Sequence, residues 1–299
     1  MDGSDMVRVV EFLTGRGLAV TPGDVERREH RWLVRHGDVL VWLAADQRGA
    51  QALARERAMF AAVRGRLGIA VPEVIEILPD GRGDIRRPVP GLVDHAVVRR
   101  AVLGDRDLAR RIGVHLGRVL AALHEIPPPT EALTTVAWPE PTLWIRERLP
   151  EVLADSVADT SLLARIEATL DRFDASVTPE RDRVLVHTDV GYHNLVFDPS
   201  SLDLVGIFDF VEAARGDRHW DLSDLIDEGA LSAAAQTSYQ EVAGVILDQA
   251  RLSLCNAVRA ACFLANRRGV DASVVWCGRT LAQDLAWCRS ALDRLHGDA

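Results

Sequence analysis

The segment His187-Thr188-Asp189-Val190-Gly191-Tyr192-His193-Asn194, followed by Phe208-Asp209-Phe210, brings carboxylates, an amide and imidazoles into a short stretch of chain. Arg183-Val184-Leu185-Val186 reads as a buried strand running into His187. Leu195-Val196-Phe197 reads as a second strand that turns at Asp198-Pro199-Ser200-Ser201 and returns through Leu202 to Phe208. In an antiparallel hairpin the start of the first strand stands beside the end of the second, so Asn194 and Asp209 are expected side by side, with Asp189 on the loop before them. Two oxygen donors at one end of a hairpin suit Mg²⁺, a hard cation that takes few protein ligands and completes its shell with water and phosphate oxygens. Asp189 is then placed to accept the proton of an incoming hydroxyl and aim it at a γ-phosphorus. The chemistry these residues point to is phosphoryl transfer from a nucleotide, ATP or GTP, to a hydroxyl.

The elements that must position them fall into two groups. After a helix over Met6 to Arg16, the stretch from Arg31 to Leu43 alternates around His36-Gly37-Asp38 as a hairpin should. A helix follows from about Ala50 to Arg66 with Leu53, Phe60 and Val63 inward. Val71 to Leu78 then reads as a strand, Pro79 to Gly83 as a turn, and Ile85 to Val89 as a short extended piece before Pro90-Gly91. Residues 1–91 thus form a small α+β lobe. Asp107 to Glu125 is an amphipathic helix, with Leu108, Ile112, Leu116, Val119, Leu120 and Leu123 on one side and Pro127-Pro128-Pro129 as its stop. The region from Trp138 to Phe173 adds one or two helices. All 13 prolines lie between Pro22 and Pro199, so the last hundred residues can be almost wholly helical, with runs over Thr237–Ala265 and Ala272–Leu295 broken at Gly269. Residues 92–299 therefore read as a mainly helical lobe with one β island around residues 184–209, joined to the first lobe near residues 86–92.

With this order of elements, the spacing of Asp189 and Asn194 matches the catalytic loop of kinases. The set His187-x-Asp189, Asn194, Phe208-Asp209-Phe210, Gly216-Asp217 and Asp221 resembles the aminoglycoside phosphotransferase family. There the motif is usually written H-G-D-x-x-x-x-N, with a further Asp after a β-hairpin. Leu116 to His124 resembles that family's long helix, and Val71-Pro72-Glu73-Val74 and Val89-Pro90-Gly91 occur in the expected order. The resemblance covers residues 30–230 or so. It implies a protein-kinase-like two-lobed fold, with Asp189 as catalytic base or orienting carboxylate, Asn194 and Asp209 as magnesium ligands and His187 as structural support. Thr188 stands where the family usually has Gly. Asp217 and Asp221, flanking His219-Trp220, read as loop and cap groups that hold the site.

The nucleotide side departs from that pattern. Kinases of this fold hold the α- and β-phosphates with a basic residue on the third strand, paired to a helix Glu. Glu56 is well placed on the helix, but the strand position falls on Trp42. The segment Asp24 to His30 carries arginines instead of a glycine-rich loop. Either Arg35, Arg48 or Arg28 supplies the missing cation from another origin, or nucleotide binding is weak or altered. Trp42 either stacks on a partner or fills the lobe. The purine is expected to meet backbone groups between Arg86 and Val89.

Composition limits the partners. A formal net charge of -9 argues against nucleic acid as the main partner, since binding a phosphate backbone needs a basic face. No stretch is long and apolar enough to span a bilayer, and the N-terminus lacks a signal-peptide pattern, so the cytoplasm is the default location. Cys255, Cys262, Cys277 and Cys288 show no metal-ligand spacing and read as reduced core thiols. The expected acceptor is a small hydroxylated molecule such as an antibiotic. Asp224, Asp227 and Glu228 either line a pocket for the ammonium groups of an aminoglycoside or basic peptide antibiotic, as the resemblance implies, or begin a solvated helix. Two other functions stay open: a catalytically silent kinase-like binding module, for which the missing lysine and glycine loop speak, and a metal-dependent hydrolase using His187, Asp189, His193 and Asp209.

Overall fold

A computed structural model describes residues 3–129, 141–154, 160–225, 228–275 and 279–297. Helix α1 (Gly3–Gly15) is followed by strands β1 (Val25–Arg28), β2 (Arg31–His36) and β3 (Val39–Ala44), helix α2 (Gln47–Val63), and strands β4 (Glu73–Ile77) and β5 (Gly83–Arg87). The five strands form one antiparallel sheet in the order β1-β2-β3-β5-β4. Because side chains alternate along a strand, the two faces of this sheet differ in chemistry. Val25, Trp32, Val34, Val41 and Leu43 pack with Val9 and Leu13 of α1 into a small outer core. Arg28, Arg31, Leu33, Arg35, Leu40, Trp42 and Arg86 turn the other way, toward the rest of the protein. Strand β1 was not anticipated: Val25 is its single buried position, so the strand carries no hydrophobic alternation.

Helices α3 (His95–Gly104), α4 (Arg106–His124), α5 (Pro141–Ala154), α6 (Thr160–Ala175), α7 (Arg218–Ser223), α8 (Ala230–Ala243), α9 (Gln249–Ala265) and α10 (Leu281–Gly297) build the second lobe. The expected continuous helix over Thr237–Ala265 is two helices, because Gly244 takes φ +65° at the end of α8 and Asp248 caps α9 by accepting from Arg251 N. Of the run expected to begin at Ala272, the described residues 272–275 are not helical and α10 starts at Leu281. Among the described helices none is long and apolar enough to cross a membrane.

The β island contains two pairs rather than one. Strand β7 (Leu195–Phe197) pairs with β8 (Leu204–Ile207) as the predicted hairpin, and β6 (Arg183–Val186) pairs with β9 (Ala214–Asp217). Two short bridges sew this hairpin to the chain before β4 and just after β5. Leu92 N donates to Phe197 O (2.8 Å) and Phe197 N to Leu92 O (3.0 Å), while Ala70 N donates to Val205 O (2.9 Å) and Ile207 N to Ala70 O (3.0 Å). Gly91 allows the first bridge, since a Cβ there would lie 2.6 Å from Val196 Cγ1 and 2.7 Å from Phe197 O.

Helix α4 is the axis of the second lobe. Its apolar side (Ile112, Leu116, Leu120, Leu123) joins Leu195, Phe197, Leu204, Ile207 and Phe210 in the main core. Beside that stripe it contacts α8, where Gly113 and Gly117 let the two backbones touch: a Cβ on either would lie 2.3 Å from the carbonyl oxygen of Leu231 or Ala235. Gly117→Ala is therefore expected to lower the unfolding free energy by about 1–3 kcal/mol despite alanine's better helix propensity, because a backbone carbonyl cannot step aside. Urea denaturation of the two proteins measures it.

Candidate active site

The loop from His187 to Asn194 is fixed from below by one carboxylate. Asp221, on α7, is fully buried and accepts from His187 N (2.8 Å) and Thr188 N (2.8 Å), with His124 Nε2 of α4 at 3.1 Å from its Oδ2. Burial pushes this carboxyl up, but the bonds and charge of His124 and His187 prevail and hold it below its ordinary value. His124 is oriented in turn by Tyr239 of α8, whose hydroxyl lies 2.7 Å from Nδ1. His187 has Phe208 O at 2.9 Å from Nε2 and rests against the Phe210 ring, 4.5 Å between centroids. With Asp189 N donating to its Nδ1 at 3.4 Å, both ring nitrogens are occupied, so His187 is a support and has no lone pair for a metal. This removes a ligand from the hydrolase reading. Among the described residues no group of three or more His, Cys, Asp or Glu is placed to hold a metal ion by itself.

Thr188 takes φ +75°, a left-handed conformation that suits glycine, and Asp209 takes φ +64°. The Thr188 conformation persists because its backbone is held on both sides: its N–H binds Asp221, and its carbonyl accepts from Trp220 Nε1 (3.2 Å). At Asp209 the same turn of the backbone swings the carboxylate out of the hairpin into the cleft.

Asp189 and Asn194 meet as the spacing predicts. Asn194 Nδ2 donates to Asp189 Oδ2 (2.9 Å) and to its carbonyl (3.0 Å), which turns the amide oxygen of Asn194 away. Phe208 N donates to Asn194 O (3.0 Å), bringing Asp209 to the same end of the hairpin. No hydrogen bond or ion pair of the Asp209 carboxylate is found among the described residues. An amide oxygen and an uncommitted carboxylate so placed fit a hard divalent cation that shares its shell with phosphate. His193 is an addition to the predicted site: its Nε2 lies 2.9 Å from Asp189 Oδ2. Burial would raise the Asp189 carboxyl, but the hydrogen bond and charge of His193, assisted by Arg259 and His187, hold it at about 2. Asp189 is therefore an ionised acceptor throughout the neutral range.

On the other side, a cleft of roughly 340 Å³ is lined by the inner face of the sheet, by Glu56 and Phe60 of α2, by Pro88 and Val89, and by His193, Val196, Phe208 and Asp209. Of the cations expected there, Arg28 and Arg35 line the cleft, whereas Arg48 is exposed in the first turn of α2 and does not. Glu56 does find a basic partner, but on β5: Arg86 Nη1 donates to Glu56 Oε2 at 2.5 Å. Trp42 both stacks and fills, with the guanidinium carbons of Arg31 and Arg86 at 4.8 and 5.6 Å from its ring centroid. Pro88 and Pro90 have no N–H, so Val89 supplies the single amide of residues 88–90.

Of the acidic residues read as either pocket lining or a solvated helix start, Asp224 and Glu228 are tied into the structure. Asp224 Oδ2 accepts from Val190 N (2.7 Å) and its Oδ1 lies 2.8 Å from Arg259 Nη1; burial pushes its carboxyl up to about 7 against the pull of Arg259. Glu228 pairs with Arg99 (3.1 Å) and accepts from Tyr192 Oη (3.4 Å). Asp227 lies outside the described residues. Asp217 caps α7 by accepting from His219 N (2.9 Å) and binds Arg251 Nε (2.6 Å).

Two lobes around a cleft, with this loop on one wall, define a kinase-like phosphotransferase. The chain belongs to the phosphotransferase enzyme family, APH, whose model matches residues 19–255. The fold is similar to the GDP complex of an aminoglycoside 2'-phosphotransferase-IIIa (16% identity, 98% of this chain and 97% of that one, TM-score 0.67) and to the GDP and kanamycin complex of an aminoglycoside 2''-phosphotransferase (18%, 97% and 98%, TM-score 0.66). It is also similar to a macrolide 2'-phosphotransferase from Brachybacterium faecium solved as the apoenzyme (19%, 96% and 98%, TM-score 0.59).

The Asp217 carboxyl yields a stability prediction. Burial opposes its ionisation, yet His219 and Arg251 bring it down to about 2. A carboxyl depressed in the folded state contributes its stabilisation above the unfolded value and loses it as pH falls through the folded one. Native stability should therefore drop by up to about 2 kcal/mol between roughly pH 4 and pH 2 through this group alone. Asp217→Asn should flatten that part of the curve in denaturation titrations.

Proposed function

We propose that this protein transfers the γ-phosphate of ATP or GTP to a hydroxyl of a small molecule, and that the acceptor is an antibiotic. The observation that carries the reading is the Asp189–Asn194 pair standing at the same hairpin end as the uncommitted Asp209. In it the nucleotide lies between an N-terminal lobe of residues 1–91 and a C-terminal lobe of residues 92–299, in the cytoplasm, where the nucleotide pool is. The purine packs among Leu33, Leu40, Pro88, Val89 and Phe208, with Val89 offering its backbone amide and carbonyl. Asn194 Oδ1 and the Asp209 carboxylate hold Mg²⁺, which supplies charge neutralisation on the phosphate oxygens. Asp189 accepts the hydrogen bond of the acceptor hydroxyl, orients its oxygen and receives its proton as the new O–P bond forms and the bond from the γ-phosphorus to the β–γ bridging oxygen breaks, ADP or GDP leaving. His193 fixes the Asp189 carboxylate in one rotamer. The family and the fold shared with aminoglycoside and macrolide phosphotransferases support an antibiotic as acceptor.

A second reading, a kinase-like protein that binds nucleotide without turnover, draws on Trp42 at the strand position where a cation is expected. Incubation of a panel of hydroxylated antibiotics with Mg²⁺ and ATP or GTP, scored by mass for a phosphate adduct, tests the first reading. Asp189→Asn is expected to lower the rate by at least about a hundredfold while leaving Mg²⁺-nucleotide binding intact. An unchanged rate would remove Asp189 from the chemistry, and nucleotide binding with no adduct from any acceptor would favour the silent module.

A further inference from the structure

The sheet that roofs the cleft presents four arginines to it, Arg28, Arg31, Arg35 and Arg86, and their partners sort them by what charge each has left. Arg86 is the most buried, 3% exposed, and the most committed. Its Nε and Nη2 donate to the two oxygens of Asp84 (2.5 and 3.1 Å) and its Nη1 to Glu56 (2.5 Å). It also lies over Phe60, 5.1 Å from the ring centroid. Two carboxylates surround one guanidinium, and Arg57 Nη1 shares Asp84 at 3.0 Å. Arg86 is thus the structural counterpart of Glu56, locking α2 to β5, with its charge already balanced.

Arg28 is exposed and paired with Glu26 at 2.8 Å. Arg35 lies four residues beyond Arg31 on β2, about 13 Å further along the strand, next to the turn at Gly37-Asp38. Arg31 is different from all three. Its guanidinium carbon lies over Trp42, 4.8 Å from the centroid, and its contact with a carboxylate is the long 3.4 Å approach of Nη1 to Glu56 Oε2. It lines the same cleft as Asp209 with most of its side chain covered. The β1–β2 connection above it is a two-residue turn, Glu29-His30, too short to drape backbone amides over a polyphosphate.

Resting on the kinase reading above, we infer that Arg31, braced on the Trp42 indole, is the side chain that holds the donor's phosphates, and that Arg86 takes over only the pairing with Glu56. The duties that kinases of this fold join in one third-strand lysine are then divided between β2 and β5. A guanidinium suits the first duty because its fork can meet two phosphate oxygens while its face stays on an aromatic ring. Trp42 occupies the position a lysine would need, and serves as the shelf over which Arg31 reaches into the cleft, where its contact with Glu56 is the long 3.4 Å approach.

The test compares triphosphate and nucleoside binding by calorimetry in Mg²⁺, using ATP, GTP, adenosine and guanosine. Arg31→Met keeps an unbranched stem over Trp42 but no charge, and should weaken binding of the preferred triphosphate by about ten- to hundredfold while leaving nucleoside affinity within about twofold. Arg31→Lys should fall between Arg31→Met and wild type, and Arg48→Ala, outside the cleft, should match wild type. Retained nucleoside binding shows that the variant is folded. Triphosphate affinity unchanged in Arg31→Met, or lost in equal measure with nucleoside affinity, overturns the inference alone. Wild-type protein that binds neither triphosphate overturns the kinase reading and the inference with it.

Discussion

A carboxylate taken wholly out of water stays ionised only where hydrogen-bond donors converge on it, and Asp221 shows what that requirement can organise. Two of its donors are consecutive backbone amides, His187 and Thr188, and a third comes from the imidazole of His124 on another helix. Backbone amides cannot rotate away as side chains can, so satisfying Asp221 dictates the path of the chain at the start of the loop from His187 to Asn194. The left-handed backbone of Thr188 follows, and with it the direction in which Asp189 leaves the loop. Tyr239 and Arg218 complete the support, the guanidinium donating to the same hydroxyl that orients His124.

From this base an aromatic column reaches the other lobe. His187 lies on Phe210, Phe210 meets Phe60 of α2 edge to face at 5.9 Å, and Phe60 lies under Arg86. Arg55, on the same helix, donates to Val211 O at 3.2 Å. Helix α2 thus touches the two residues that follow Asp209 while carrying Glu56 into the cleft. A strained residue such as Asp209 keeps its conformation only where its neighbours are held, and here they are held by a helix whose own position is set by the buried Glu56–Arg86–Asp84 cluster.

The juxtaposition of Asp189, Asn194 and Asp209 was legible in the sequence because its parts are local. Asp189, Asn194 and Asp209 lie on one loop and one hairpin, and spacing plus turn chemistry fixes their neighbourhood. The cation side was not, because Arg86 and Glu56 are 30 residues apart and Arg31 and Glu56 are 25 apart, and no periodicity links a strand side chain to a helix side chain across a cleft. Arg86 was singled out for its backbone, while its side chain proves to be the partner of Glu56. His193 was visible as a residue but not as a partner of Asp189, since the single helical turn Tyr192–Asn194 that aims it has no sequence signature. The fate of Asp224 was equally hidden, because Arg259 lies on a helix whose interior composition says only that it is buried. Strand β9 escaped notice because Ala214-Arg215-Gly216-Asp217 has no β-branched or aromatic residue to mark it.

The bonds that tie Leu92 to Phe197 and Ala70 to Val205 and Ile207 give the hairpin a double allegiance. It belongs by sequence to the second lobe, yet its edges are stitched to the chain on either side of β4 and β5. If the cleft opens by swinging one lobe from the other, these stitches are the pivot, and the points near a pivot travel least. Asn194 and Asp209 sit at the end of that hairpin, so the gap between the sheet, with its β1–β2 turn, and the second lobe can widen while the spacing of these two groups stays as it is.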